Sequence, residues 1–324
     1  MVLRRVNFSE SLSPTSSLMI KPVIANQPLQ LRLLGMWSLV FRIDQKRSYM
    51  NSLQLGKSTP YPDQYDPNLL FPIQRSVNRA KLGIKEHAPL PFMGIDIWNA
   101  YELSWLNAKG KPQIALAEFQ IPADSPNMIE SKSFKLYLNS LNNSRFENED
   151  ELRQRLIADL SKVAGSQITT RINPTDAIAK QGMEEMGGVL LDRLDIEVDC
   201  AAGADPSLLG VNESFSPVEQ CLVSHLLKSN CPVTGQPDWA SVQIRYQGRP
   251  ILEEGLLRYL IGFRQLGEFH EHCVETIFCD IKQQCKPEKL SVYARYTRRG
   301  GLDINPFRTD YNAVWPDNTR HARQ

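Results

Sequence analysis

The chain has 324 residues and a formal net charge of +1, with 42% hydrophobic and 23% charged residues, the composition of an ordinary globular protein with room for one large or two modest domains. Near-neutral charge excludes a global pull toward nucleic acid or anionic membrane and points to a small-molecule ligand, and no apolar run reaches the about 18 residues that a membrane-spanning helix needs. Six cysteines, Cys200, Cys221, Cys231, Cys273, Cys279 and Cys285, form no CxxC pair and read as reduced thiols of a cytoplasmic protein.

Residues 1–49 are basic and acid-poor, with Glu10 and Asp44 as their acids. Their apolar stretch, 33–41, lies too deep for an ordinary secretory signal. A targeting peptide is one reading. A disordered extension, or a start assigned too early with Met50 as the natural one, is preferred. Residues 57–90 are rich in Pro, Asp, Asn and Tyr and read as an irregular arm. Alternating Tyr101, Leu103 and Trp105, the turn residues 107–110, and alternating Ile114 and Leu116 predict a β-hairpin. Phe134, Leu138 and Leu141 share one face of a helix, and Leu152, Leu156, Leu160 and Val163 one face of a second. Strands over 168–172 and at Leu194, Ile196 and Val198 close this unit. The small, turn-prone residues 201–217 mark a boundary. The order then repeats, with strands at 219–227 and at Val242, Ile244 and Tyr246. Helices over 253–263 and 271–284 follow, then a last strand at Leu290, Val292, Ala294 and Tyr296. Residues 131–138 align with 253–260, and 152–160 share their apolar spacing with 273–281. One unit duplicated in tandem is the economical reading. It predicts an α+β protein of antiparallel sheets with two helices on one face of each. Its units would be 50–200 and 218–324, joined by the linker 201–217.

No GxGxxG follows a strand and no GxxxxGK[ST] occurs, so a nucleotide must be held some other way. Cys231 stands apart from the other cysteines because it sits at a strand end, in a loop fixed by Pro232, Gly235 and Pro237. Loops of this kind present catalytic side chains, and a thiol there becomes a nucleophile when a neighbour favours its thiolate. Asp238 lies between Pro237 and Trp239, where apolar surroundings would favour a proton donor. A free loop cysteine and a turn aspartate fit equally. Glu271, at the start of a helix, suits the N–H edge of a guanine-like base or a plain cap. Zinc on His270, His272 and Cys273, with Cys279 or Cys285 as a fourth ligand, is a rival that matches no closed motif well. Arg298-Arg299-Gly300-Gly301 suits phosphates or is a solvated turn. Residues 130–135, with Lys132 and Lys135 at a helix start, suit an anion or are an ordinary capped helix.

Four segments together resemble one family. They are Glu130-Ser131-Lys132-Ser133-Phe134-Lys135-Leu136-Tyr137; Cys231-Pro232 with Gln236-Pro237-Asp238-Trp239; Phe269-His270-Glu271; and Tyr296-Thr297-Arg298-Arg299-Gly300-Gly301-Leu302-Asp303-Ile304-Asn305-Pro306. From about Leu55 onward the chain resembles the NADPH-dependent 7-cyano-7-deazaguanine reductases of the long, two-domain type. The resemblance implies a tandem pair of tunnelling-fold units, a homodimer, and a place in making the modified tRNA base queuosine without acting on tRNA. By motif it implies that Cys231 attacks the nitrile carbon to form a thioimide and that Asp238 delivers protons. Ile129, Glu130, Ser131, His270 and Glu271 would hold the deazapurine. Ser131, Lys132, Arg299 and Gly300 would hold NADPH, consumed twice per turnover, and no metal is implied. The rivals are a zinc-dependent cyclohydrolase of the same fold group and a non-catalytic purine or tRNA-binding module.

Overall fold

The computed structural model describes residues 61–175 and 182–324, so the expected extension 1–49 lies outside the described residues. Eight strands form one sheet in the order β5-β3-β2-β10-β9-β8-β7-β6. They are β2 (Met93–Leu106), β3 (Pro112–Pro122), β5 (Thr169–Asn173), β6 (Val189–Leu190), β7 (Val218–Asn230), β8 (Pro237–Gly248), β9 (Lys289–Tyr296) and β10 (Leu302–Thr309). Every neighbouring pair is antiparallel except β6 with β7. Two short strands, β1 (Pro72–Gln74) and β4 (Asn127–Ile129), pair separately. The helices are α1 (Arg75–Arg79), α2 (Ser131–Ser140), α3 (Glu149–Ala164), α4 (Glu253–Ile261) and α5 (His270–Cys285). The result is an α+β fold of antiparallel sheet.

Strand alternation assigns the faces. Trp98 pairs with Phe119 and Ile304, and these residues join the core of α2 and α3 with Phe134, Leu152, Leu156 and Leu160. Val292, Ile244 and Leu290 join the core of α4 and α5 with Leu256, Tyr259, Ile277 and Phe278. The register carries Trp98 and Val292 to the same face, so α2, α3, α4 and α5 cover one side of the sheet. Helix α3 begins where Asn148 accepts from the Glu151 amide, and Glu149, Asp150 and Glu151 meet the positive end of its dipole. It ends at Gly165, which takes the left-handed conformation. Leu156 is fully buried on its inner face; removing such a side chain to Ala costs about 2–5 kcal/mol.

The two halves repeat in detail. Each long hairpin carries a one-residue bulge at matching places, between Ala100 and Leu103 and between Ser224 and Leu227. Tyr137 donates to Asp159 and Tyr259 to Asp280, at 2.7 and 2.6 Å, tying the first helix of each pair to the second.

Three sequence expectations differ from the structure. The alternating Leu194, Ile196 and Val198 form no strand; they pack half-buried against the α4–α5 core without a pairing partner. The arm before residue 90 is partly ordered, with β1, α1 and two short 3₁₀ turns. Strand β10 was not anticipated, because Pro306, Asp303 and Arg308 disguise it. All eight of its residues are buried, and it joins β9 to β2, making the two halves one sheet.

Candidate active site

The loop after β7 is closed on itself: the Cys231 amide donates to the Gln236 carbonyl at 2.8 Å and the Gly235 amide to the Cys231 carbonyl at 3.0 Å. Gly235, with φ of +69°, takes the conformation such a turn demands of glycine. The end of β7 is also stitched to the entry of α5, through Asn230 N to Leu266 O (2.8 Å) and Glu268 N to Asn230 O (3.1 Å). Cys231, 4% exposed, is thereby set beside the first turn of α5 in a cleft.

That cleft is also lined by Asp238, His270, Glu271, Ile129, Ser131 and Arg299, over a floor that includes Ile73, Trp98, Met128 and Ile304. About 400 Å3 of empty space lies between its walls, solvent at the mouth included. Seven of the residues singled out from sequence are therefore in one place. Asp238 is the second residue of β8 and is 4% exposed. Its neighbours are polar rather than only apolar: Arg299 Nε lies 2.7 Å from Oδ1, and His270 Nε2 lies 3.3 Å from Oδ2. The His270 ring stacks on Tyr296 at 3.7 Å and 2°, which fixes its plane. Glu271 makes no side-chain cap on α5. Burial, then the Asp96 carboxylate, push it up to about 7, against the pull of Arg75 and His270.

Other residues fall outside the lining. Glu130 is fully buried and caps α2, its carboxylate accepting from the amides of Lys132 (2.9 Å) and Ser133 (2.7 Å). Burial pushes this carboxyl up, and those two amides oppose the shift. The arm fixes this helix start, since Glu130 N donates to Phe71 O and Phe71 N to Ser133 Oγ. Lys132 follows in the first turn of α2. Gly300 and Gly301 have φ of +57° and +77°, as a two-residue type I′ turn requires between β9 and β10. A side chain begun at Gly300 would meet Lys135 Nζ at 3.2 Å, so this turn and helix α2 touch.

Lys135, which with Lys132 suits an anion at this helix start, lies against Arg299. Burial and the nearby positive charge of Arg299 lower its pKa. Its signal in the sequence was its place one turn after Ser131 and Lys132. Two cations forced together under partial burial suit an anion between them. The glycine turn beside them leaves its backbone open to close approach, so these residues fit a dinucleotide phosphate. The zinc reading finds no support in geometry: His270 turns to Asp238, His272 faces Glu268 at 3.9 Å, and Cys273 lies in the core. Among the described residues no helix is long and apolar enough to cross a membrane.

Comparison with known proteins places the chain in a family. Residues 61–172 match the family model "Nitrile reductase, 7-cyano-7-deazaguanine-reductase N-term", and residues 237–314 match "QueF-like protein". Proteins named NADPH-dependent 7-cyano-7-deazaguanine reductase align over 270 residues, 83% of this chain and 97% of each relative. The identities are 62% in Cupriavidus necator, 59% in Ralstonia nicotianae and 59% in Burkholderia thailandensis. A solved apo archaeosine synthase described as QueF-like aligns with 32% of this chain and all of its own at 17% identity. Its TM-score of 0.27 is too low to bear on the fold. At such identity over nearly the full length of these relatives, the chain belongs to the family of NADPH-dependent 7-cyano-7-deazaguanine reductases.

Proposed function

We propose that this protein reduces the nitrile of 7-cyano-7-deazaguanine to the aminomethyl group through a thioimide on Cys231. The observation that carries the reading is the meeting, in one cleft, of a buried thiol, an aspartate gripped by Arg299 and His270, and a buried glutamate. A free nitrile is a poor hydride acceptor, and thiolate addition converts it into a C=N bond that accepts hydride more readily. The sulfur of Cys231 bonds to the nitrile carbon, and Asp238 supplies the proton taken up by the nitrogen. Reduction to the amine takes up two hydrides and two protons in all, and the C–S bond breaks to return the thiolate. Bound NADPH supplies hydride, two molecules per nitrile. His270 holds Asp238 at the reacting nitrogen, and Arg299 fixes its other oxygen.

Glu271 accepts N–H bonds from the base, with Ile129, His270 and Ser131 against the ring and Glu130 setting the helix start that carries them. Ser131, Lys132, Arg299 and Gly300, joined by Lys135, receive the cofactor phosphates at the meeting of α2 with the β9–β10 turn. The chain is read as two tandem tunnelling-fold units, 50–200 and 218–324, about the linker 201–217. Two separate helix-covered cores and the paired hairpin bulges support that division. The wider setting is a cytoplasmic homodimer that makes the free base for queuosine and does not bind tRNA. The deciding test is NADPH oxidation followed by absorbance with and without the nitrile base. Nitrile-dependent oxidation of two NADPH per amine formed is the expected result; none with active-site thiol intact overturns the reading.

A further inference from the structure

Of the buried side-chain nitrogens and oxygens that lack a hydrogen-bond partner among the described residues, two belong to residues of the cleft: Trp98 Nε1 and His270 Nδ1. The His270 nitrogen takes either role, depending on tautomer. The indole N–H has no such freedom, being a donor only. Trp98 is 1% exposed. Its ring is held by β2 between Phe119 and Ile304, and lies 5.3 Å from Phe134 across a 50° tilt. A buried donor without an acceptor weakens a fold. Apolar packing makes no use of the N–H.

We infer that the Trp98 indole N–H is a substrate-recognition group of the cleft, donating to the carbonyl oxygen of the deazapurine's six-membered ring. This rests on the function proposed above and deepens it. Along a guanine-like edge the order is exocyclic amine, ring N–H, carbonyl, then the nitrile on the adjoining ring. Glu271, acceptor-only when ionised, takes the amine and the ring N–H. Cys231 takes the nitrile. The carbonyl between them needs a donor. Arg299 faces Asp238 and Gln236 and, in the reading above, the cofactor phosphates, and among the lining side chains Trp98 offers a buried N–H with no partner. A site that spends a buried donor on a substrate acceptor rejects the analogue lacking it, because the donor is then stranded.

The test compares the nitrile base with its thiocarbonyl analogue, which keeps the amine and the ring N–H for Glu271 and offers sulfur, a weaker acceptor, in place of the carbonyl oxygen, on the full-length wild type and on Trp98→Phe. Dissociation constants are measured without cofactor. Wild type should bind the analogue about threefold to tenfold more weakly than the nitrile base, as the weakening of one hydrogen bond does. Trp98→Phe should bind the nitrile base about tenfold more weakly than wild type does and should discriminate little between the two ligands, as a closed cycle requires. Its KM for NADPH should not change, which separates loss of recognition from general damage to the cleft. In a 15N-labelled wild type, the Trp98 indole proton should move downfield on binding the nitrile base and less with the analogue. That spectrum decides the matter if the Phe variant does not fold. Equal discrimination by both proteins, or an indole resonance indifferent to the carbonyl, overturns the inference. If wild type neither binds nor turns over the nitrile base, the functional reading itself has failed instead.

Discussion

The turns of the two long hairpins of the sheet are built alike and do different things. In the first, Asn107 N donates to Lys111 O at 3.0 Å and Gly110 N to Asn107 O at 2.8 Å. In the second, Cys231 and Gly235 stand where Asn107 and Gly110 stand, with the same pair of main-chain bonds. Both following strands begin with proline, Pro112 and Pro237. Yet the Asn107 side chain is spent on its own turn, accepting from the amides of Lys109 and Lys111. Cys231 is instead covered by the residues leading into α5 and faces a cleft. Behind the prolines, Gln113 bonds to the carbonyls of Lys111 and Pro112, where Asp238 meets His270 and Arg299. The lesson is that a duplicated turn supplies a rigid mount, and what packs over it decides whether the mount carries chemistry.

Breaking the comparison at its strongest point gives the largest effect. Cys231→Ala and Cys231→Ser should lower turnover by about a thousandfold or more, as loss of a covalent nucleophile does, with the fold intact by circular dichroism. Asn107→Ala, its counterpart, should leave kcat within about twofold and lower stability by about 0.5–2 kcal/mol through the lost turn bonds. Next, Asp238→Asn should cost about 10²–10⁴ in kcat, the usual worth of a placed acid–base group, while Gln113→Ala costs nothing measurable in a steady-state assay. Activity of Asp238→Asn equal to wild type across pH would remove Asp238 from the chemistry.

The phosphate side sharpens the contrast between halves, since α2 and the β9–β10 turn come from opposite ends of the described chain. Arg299→Ala and Lys132→Ala should each raise the KM for NADPH by about tenfold to a hundredfold, one charged contact of roughly 1.5–3 kcal/mol. Running both variants with NADH separates the contacts: loss confined to NADPH marks the 2′-phosphate, and loss with both cofactors marks the diphosphate. Unchanged KM values in both variants would leave neither residue a part in holding the cofactor, with Arg299 serving Asp238 and Gln236 alone.

The smallest effect is on pH. Glu271 is raised from 4.5 to about 7 by burial and by Asp96. Between those values the folded protein keeps a proton that the unfolded chain has released, so this group favours the fold at low pH and that contribution is lost as pH rises through about 7. Ionisation is what makes Glu271 an acceptor, so affinity for the base should rise several-fold across the same interval and then level. Glu271→Gln should flatten both the melting-temperature and the affinity profiles there. A wild-type affinity profile already flat from pH 5 to 8 would contradict this.

Periodicity made much of the fold legible. The apolar spacing of 152–160 and 273–281 gave α3 and α5, and the alternation around 101–105 gave the first hairpin, because one face of each element is apolar and the other is not. The same logic missed β10, whose Asp303, Asn305 and Arg308 are buried against polar partners rather than exposed. It also read 194–198 as a strand, since alternation reports half-burial and cannot report a hydrogen-bonding neighbour. At the site, Cys231 was legible from its proline-bounded loop. The grip of Arg299 on Asp238 was not, because 61 residues separate them in sequence. Glu130 illustrates a different limit: a carboxylate at a helix start reads the same whether it meets a ligand or two amides of its own helix.

The most direct test of covalent catalysis at Cys231 is the intact mass of the full-length protein incubated with 7-cyano-7-deazaguanine and no NADPH. Wild type should gain the mass of one nitrile base per chain, located on Cys231 by peptide mapping, while Asn107→Ala gains the same and Cys231→Ala gains nothing. An adduct that persists in Cys231→Ala, or a wild type that turns over the nitrile yet carries no adduct when NADPH is withheld, would contradict the thiol's role.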